Sequence, residues 1–190
     1  MTELPNPAQC EYYQRTQTVL PGGHVTFKTE LDEENERQAS MLISLQWQIK
    51  VGSFGRYAPI DYYLETFAGQ HLGYAELKCR TIDHDKHKET WLNLRKFNWL
   101  FMTALGAYCE AFYLIKFNDG IWWIDIFDIR PKGKVRQAGT VEIVKSRNDK
   151  EPVIFIPIQS MHPLCDTPSP FAPPPVDAIK PDISIKHCLT

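Results

Sequence analysis

Between residues 29 and 48, the stretch TELDEENERQASMLISLQWQ sets apolar residues at helical spacing behind a crowd of acids. Acidic side chains in a first turn are favoured by the helix dipole, and Thr29 supplies an N-cap. The pattern predicts a helix whose apolar face is Met41, Leu42 and Leu45. The rhythm then shortens. WQIKVG and IDYYLETF read as two strands joined through the Gly52 and Gly55 turn region, and HLGYAELKCRT reads as a third, so an antiparallel meander is expected. A charged connector, IDHDKHKE, leads to TWLNLRKFNWLFMTALG, where Leu94, Phe97, Phe101, Ala104 and Leu105 return to helical spacing before Gly106 offers a stop. Its first residues, TWLNL, alternate and enter that second helix extended.

The strongest hairpin signal follows, with AFYLIKF and IWWIDIFDI flanking NDG. A further strand pair, TVEIVKS and VIFIPIQ, flanks RNDKEP. Helix, three strands, helix and strands in that order predict one α/β domain around a mixed sheet, over residues 29–160. Residues 1–28, with Pro5, Pro7, Pro21, Gly22 and Gly23, read as an irregular arm. Residues 161–190 hold seven prolines and read as an extended tail available to a protein partner.

Composition narrows the setting. At 190 residues and 43% hydrophobic, the chain supports one sizeable core. A net charge of −2 leaves no global basic field, so any nucleic-acid surface must be local. The five cysteines, Cys10, Cys79, Cys109, Cys165 and Cys188, form no CxxC pair, and their odd number argues against a disulfide framework. No basic, apolar leader and no run of about 18 apolar residues is present, so a soluble protein of the cytoplasm, without membrane contact, is expected.

The third strand carries the candidate chemistry. Side chains alternate across a sheet, so Tyr74, Glu76, Lys78 and Arg80 share one face while Gly73, Ala75, Leu77 and Cys79 share the other. A solvated outer face is one reading of that pattern. The other begins at Asp61, which opens the preceding strand and falls beside Glu76 in an antiparallel pairing. Two carboxylates held together repel unless a cation lies between them, and hard oxygen donors suit magnesium or manganese. Lys78, on the same face, would then hold a phosphate oxygen or orient a water. Glu36, a turn before the apolar Ala39 and Leu42 positions, is a third acidic candidate, with Glu30, Glu33 and Glu34 as competitors that also read as dipole partners.

A glutamate on the first helix, then PID, then ELK on the next strand, then a helix with a lysine near its start, resembles the PD-(D/E)XK nuclease superfamily. The texture from KCRTIDHDKHKETW to FYLIKFNDGIWWIDI is similar to its small phage-type members, and the likeness spans about residues 30–158. The resemblance implies a restriction-endonuclease-like αβββαβ core with a mixed central sheet flanked by helices, in which Asp61, Glu76 and the Leu77 carbonyl bind Mg²⁺ or Mn²⁺. It also implies that Lys78 activates or positions water, that Glu36 contributes through water or a second metal, and that Lys96 contacts phosphate. The chain departs from the pattern in reading PID rather than PD, and in offering no obvious glutamine after ELK.

Other clusters point less sharply. His84 and His87, with Asp83 or Asp85, lack the four-ligand spacing of a zinc site, and a solvated loop is expected. Trp47, Trp91, Trp99, Trp122 and Trp123 lie mostly within apolar patterns and read as packing residues. Lys78, Arg80, Lys86, Lys88, Arg95 and Lys96 gather between the ELK strand and the second helix, a local patch suited to a phosphodiester backbone, with Arg80 and Lys96 as its nucleic-acid contacts. The expected activity is metal-dependent hydrolysis of nucleic acid, DNA in the first instance, in a phage or mobile-element setting and hence a host-cell cytoplasm. The alternative is a non-catalytic accessory protein that keeps the nuclease fold and grips nucleic acid or another protein.

Overall fold

A computed structural model describes residues 16–19, 25–28, 30–55, 58–138 and 151–171. The expected cap at Thr29 and the strand expected from TVEIVKS lie outside those residues. Before the first helix, β1 (Thr16–Val19) and β2 (Val25–Lys28) pair antiparallel. Two paired strands, both rich in β-branched residues, therefore stand within the segment expected as an irregular arm.

Helix α1 (Glu30–Trp47) is followed by β3 (Lys50–Ser53), β4 (Tyr62–Glu65) and β5 (His71–Cys79), the antiparallel meander of the sequence pattern. The chain next forms β6 (Glu89–Asn93) and helix α2 (Leu94–Ala107). The Asn93 side chain caps α2 by accepting from the backbone N–H groups of Arg95 and Lys96. Gly106 does not end this helix. Tyr108 does, in left-handed conformation at φ 53°, with its N–H returned to the Ala104 carbonyl.

Strand β7 (Glu110–Phe117) then lies parallel to β5, and β8 (Gly120–Asp125) closes the NDG hairpin. Parallel neighbours need a crossover, and β6 with α2 supplies it. The approach at its start is close: a Cβ on Gly73 would lie 2.3 Å from the Glu110 carbonyl oxygen, which only glycine avoids. Helix α3 (Ile126–Lys132) takes the IFDI residues read as strand, because the Asp125 side chain accepts from the Phe127 N–H and caps a helix there. A second sheet forms from β9 (Lys134–Ala138), β10 (Glu151–Pro157) and β6, in the order β6-β10-β9.

The main sheet runs β11-β8-β7-β5-β4-β3, where β11 is His162–Pro163. Two apolar clusters cover its faces. Ala39, Ile43 and Trp47 of α1 pack over Leu64, Leu77 and Leu114 on one side. Phe97, Leu100 and Ala104 of α2 pack with Tyr113, Ile115 and Ile156 on the other. The buried face of α1 is thus not the one expected: Met41, Leu42 and Leu45 are exposed, and the stripe Ala39, Ile43, Trp47 meets the sheet.

Residues 161–171 also depart from expectation. Met161 and Leu164 are buried, β11 pairs with β8, and the Phe171 ring packs against Trp47 and Phe112. Apolar anchors between the prolines bind this segment to the domain. No helix among the described residues is long and apolar enough to cross a membrane.

Candidate functional site

Strand register brings the two carboxylates together. Tyr62 pairs with Ala75 in the antiparallel β4–β5 ladder, so Asp61, one residue earlier, stands opposite Glu76. Tyr62 and Ala75 pack under α1, and alternation turns Asp61 and Glu76 to the α2 side. There Lys96, in the first turn of α2, donates from Nζ to Asp61 Oδ1 at 2.7 Å and to Glu76 Oε2 at 3.0 Å. The pair is therefore held within the roughly 6 Å over which carboxylates perturb one another strongly. Lys96 was expected on a phosphate; here its ammonium lies between the carboxylates.

The surroundings shift the titration of these groups. Burial pushes the Glu76 carboxyl well above the usual carboxylate range, the Asp61 charge adds to the shift, and Lys96 opposes it. For Lys96, burial disfavours the charge, but Glu76 and Asp61 together outweigh it and hold the ammonium above its ordinary value. Burial, with the Arg80 charge behind it, pulls Lys78 down to about 7. Its neighbour above is Trp91 of β6, with Lys78 Nζ 3.3 Å from the ring centre and the Arg80 guanidinium carbon 5.0 Å from it. The ring face favours the charged form by about 0.5–2 kcal/mol, part of what burial removes.

Glu36 is placed differently. It lies one turn before Ala39 on the sheet-facing stripe of α1, and the Tyr62 hydroxyl hydrogen-bonds it. Burial, then the Glu36 and Asp61 charges, push the Tyr62 phenol up. Glu36 thus reaches the strand end from the opposite face of the sheet. Among the described residues no three His, Cys, Asp or Glu side chains gather at metal-ligand spacing. Leu77 points its side chain into the α1-side core, as strand alternation requires.

Sequence reading missed two participants. Trp91 was taken as packing, yet it carries two cations; the alternation of TWLNL was the available signal. His84, with its side chain 33% exposed, pairs with Asp119 from a loop that is otherwise solvated as expected. Its ring Nδ1 lies 2.5 Å from Asp119 Oδ2, its backbone N–H donates to Asp119 Oδ1 at 3.0 Å, and its ring stacks on Trp122 at 4.3 Å.

The donor set fits a divalent cation. Two side chains with hard oxygen donors converge on a point that already takes a positive charge.

No protein-family model matches the chain, and no curated protein matches it either. Two solved structures are similar to it. The Holliday junction resolvase Hjc of Archaeoglobus fulgidus is 13% identical, with a TM-score of 0.43, over 66% of this chain and 82% of the resolvase. A nuclease from a fusselovirus is 15% identical, with a TM-score of 0.43, over 74% of this chain and 90% of the nuclease. At that level of likeness, the side chains of the chain itself carry the functional reading. By its own element order, α1, β3–β5, α2, β7, with β5 and β7 parallel, the chain builds the expected α/β core on a mixed six-stranded sheet flanked by helices.

Proposed function

We propose that the protein is a metal-dependent nuclease that hydrolyses phosphodiester bonds of nucleic acid, with DNA as the first substrate to test. The observation that carries this reading is the convergence of Asp61 and Glu76 on one positive charge, beside Lys78 on the same strand face. Asp61 and Glu76 would hold a magnesium or manganese ion, with the Leu77 carbonyl as a further oxygen donor. When bound, such an ion supplies positive charge against a phosphoryl oxygen and acidity to nearby water.

The remaining roles belong to the chain. A lysine that titrates near neutral pH suits both sides of proton transfer: neutral Lys78 takes a proton from the attacking water, and charged Lys78 holds a phosphate oxygen. Arg80, next on that face, meets the adjacent phosphate as a fixed cation. Lys96 leaves the carboxylates when a metal enters and becomes available to the same backbone. Glu36 acts through Tyr62, which it shares with the edge of the site.

The test is a magnesium-dependent cleavage assay on single-stranded, duplex and branched DNA and on RNA, with Glu76→Ala as control. Cleavage lost in the variant supports the assignment; equal silence of both folded proteins on every substrate rejects it. One observation favours a second reading, a non-catalytic binding protein: Lys96 neutralises the carboxylate pair from within, as a site without metal requires. Calorimetric titration with Mn²⁺ separates the two, since the second reading expects no binding that depends on Asp61 and Glu76.

A further inference from the structure

Beyond Lys78, the strand face continues through Arg80 into a pocket of about 140 Å³ whose floor is apolar. Ile82, Phe117 and Ile158 form that floor, and Trp91, the ring that carries Lys78, belongs to its wall. The polar lining is Arg80 on the side of Lys78, then Thr90, which is 5% exposed, Glu89, His84 and His87. The volume is well below the roughly 300–1,000 Å³ of a small-molecule site, so a single ring fits and a whole nucleotide does not.

The pocket is built before any ligand arrives. Its wall, the loop from Arg80 to Lys88, is tied to the β7–β8 hairpin by Arg80 N–H to the Lys116 carbonyl at 2.8 Å and by Asn118 N–H to the Ile82 carbonyl at 3.0 Å. Asp119 grips His84 by both backbone and ring. From the other side, Ile158 N–H donates to the Lys88 carbonyl at 3.0 Å. A recess held at both ends avoids the ordering cost of binding.

We infer that this pocket receives one unpaired nucleobase of the strand whose backbone passes Lys78 and Arg80. Resting on the nuclease reading above, the inference adds the part of the substrate that the site recognises. A base buries its flat faces on Ile82, Phe117, Ile158 and Trp91 and offers its edge to Thr90 and Glu89. A phosphate would be desolvated against three apolar side chains and would face the Glu89 carboxylate, which Arg136 engages at 3.1 Å. Arg80, between Lys78 and the pocket, is placed for the phosphate attached to that base. A duplex keeps its bases stacked, so the site favours single-stranded, frayed or branched substrates.

The test uses the full-length Glu76→Gln protein and a fluorescent single-stranded DNA oligonucleotide, with each nucleotide replaced in turn by an abasic residue and binding read by anisotropy. One abasic position is expected to weaken binding by about tenfold or more, the scale of one base–aromatic stack. Adding His87→Trp, an exposed rim residue that fills the pocket, is expected to abolish that penalty and leave affinity for the abasic strand unchanged. No abasic position costing more than about twofold, a penalty that survives His87→Trp, or no binding of any oligonucleotide overturns the inference. Cleavage by the wild type is scored separately: a protein that shows the abasic penalty but never cuts keeps the base pocket and loses the nuclease reading, and one that cuts without the penalty does the reverse.

Discussion

Lys78 carries its ammonium nitrogen 3.3 Å from the centre of the Trp91 ring. The ring comes from β6, a strand of the second sheet, so the crossover that joins β5 to β7 also roofs the candidate site. Trp91 holds the lysine against one wall while burial and Arg80 favour its neutral form.

Trp91→Leu should therefore lower kcat/KM for nucleic-acid cleavage by about tenfold, the worth of a desolvated cation–π contact. Trp91→Phe, which keeps a ring face, should recover most of the loss. Steady-state kinetics on the three proteins decide this; equal losses in Leu and Phe would reduce Trp91 to a packing residue.

Glu76→Gln should abolish metal binding and cleavage yet leave the metal-free protein as stable as the wild type or more so. The amide replaces a buried carboxyl that resists ionisation and still accepts from Lys96. Thermal melts with and without Mg²⁺ check it: the wild type should gain stability from the ion and the variant should not.

The pH dependence follows from the same carboxyl. Glu76 keeps its proton to higher pH in the folded protein than the roughly 4.3 of an unfolded glutamate, so the folded state binds more protons across the interval between the two values. Its contribution is complete below the unfolded value and is lost as pH rises through the folded one. Metal-free wild type should lose stability over that interval, and Glu76→Gln should flatten the curve. A wild-type urea midpoint that rises across the same interval would contradict the assignment.

Lys96→Met removes the cation shared by Asp61 and Glu76. Because about a third of each Lys96 and Asp61 side chain remains exposed, solvent screens part of the loss, and a cost of about 1–2 kcal/mol is expected in the absence of metal. Manganese should bind this variant more tightly than it binds the wild type, having no internal competitor to displace. Calorimetry reads the affinity directly, and an unchanged dissociation constant would show that Lys96 does not compete.

Leu164→Ala should destabilise the domain by about 2–4 kcal/mol, the range for emptying a buried leucine site. Chemical denaturation measures it, and a cost below about 0.5 kcal/mol, the range of ordinary surface substitutions, would mean that the segment after β10 is not anchored there.

The parts of the fold set by local chemistry were legible in the sequence. NDG between two β-branched, aromatic runs is a hairpin, and the alternation of Tyr74, Glu76, Lys78 and Arg80 with small and apolar partners is a two-faced strand. Asp61 beside Glu76 followed from strand register alone. What periodicity could not settle was the choice between two apolar stripes on α1; the stripe with Met41, Leu42 and Leu45 is more apolar to the eye, but the sheet takes Ala39, Ile43 and Trp47. The proline count hid the anchors Met161, Leu164 and Phe171. Trp91 over Lys78, and Lys96 between two carboxylates, depend on the crossover that lays β6 and α2 beside β5, a long-range packing result that no local pattern encodes.

The two-residue strand β11 lies at one margin of the main sheet. It terminates the main sheet beside β8 with His162 and Pro163, and a proline has no N–H to offer a newcomer. That margin is blunted against edge-to-edge association, whereas β3 forms the opposite margin among the described residues. Among the described residues, a foreign strand that extends this sheet would join it along Lys50–Ser53.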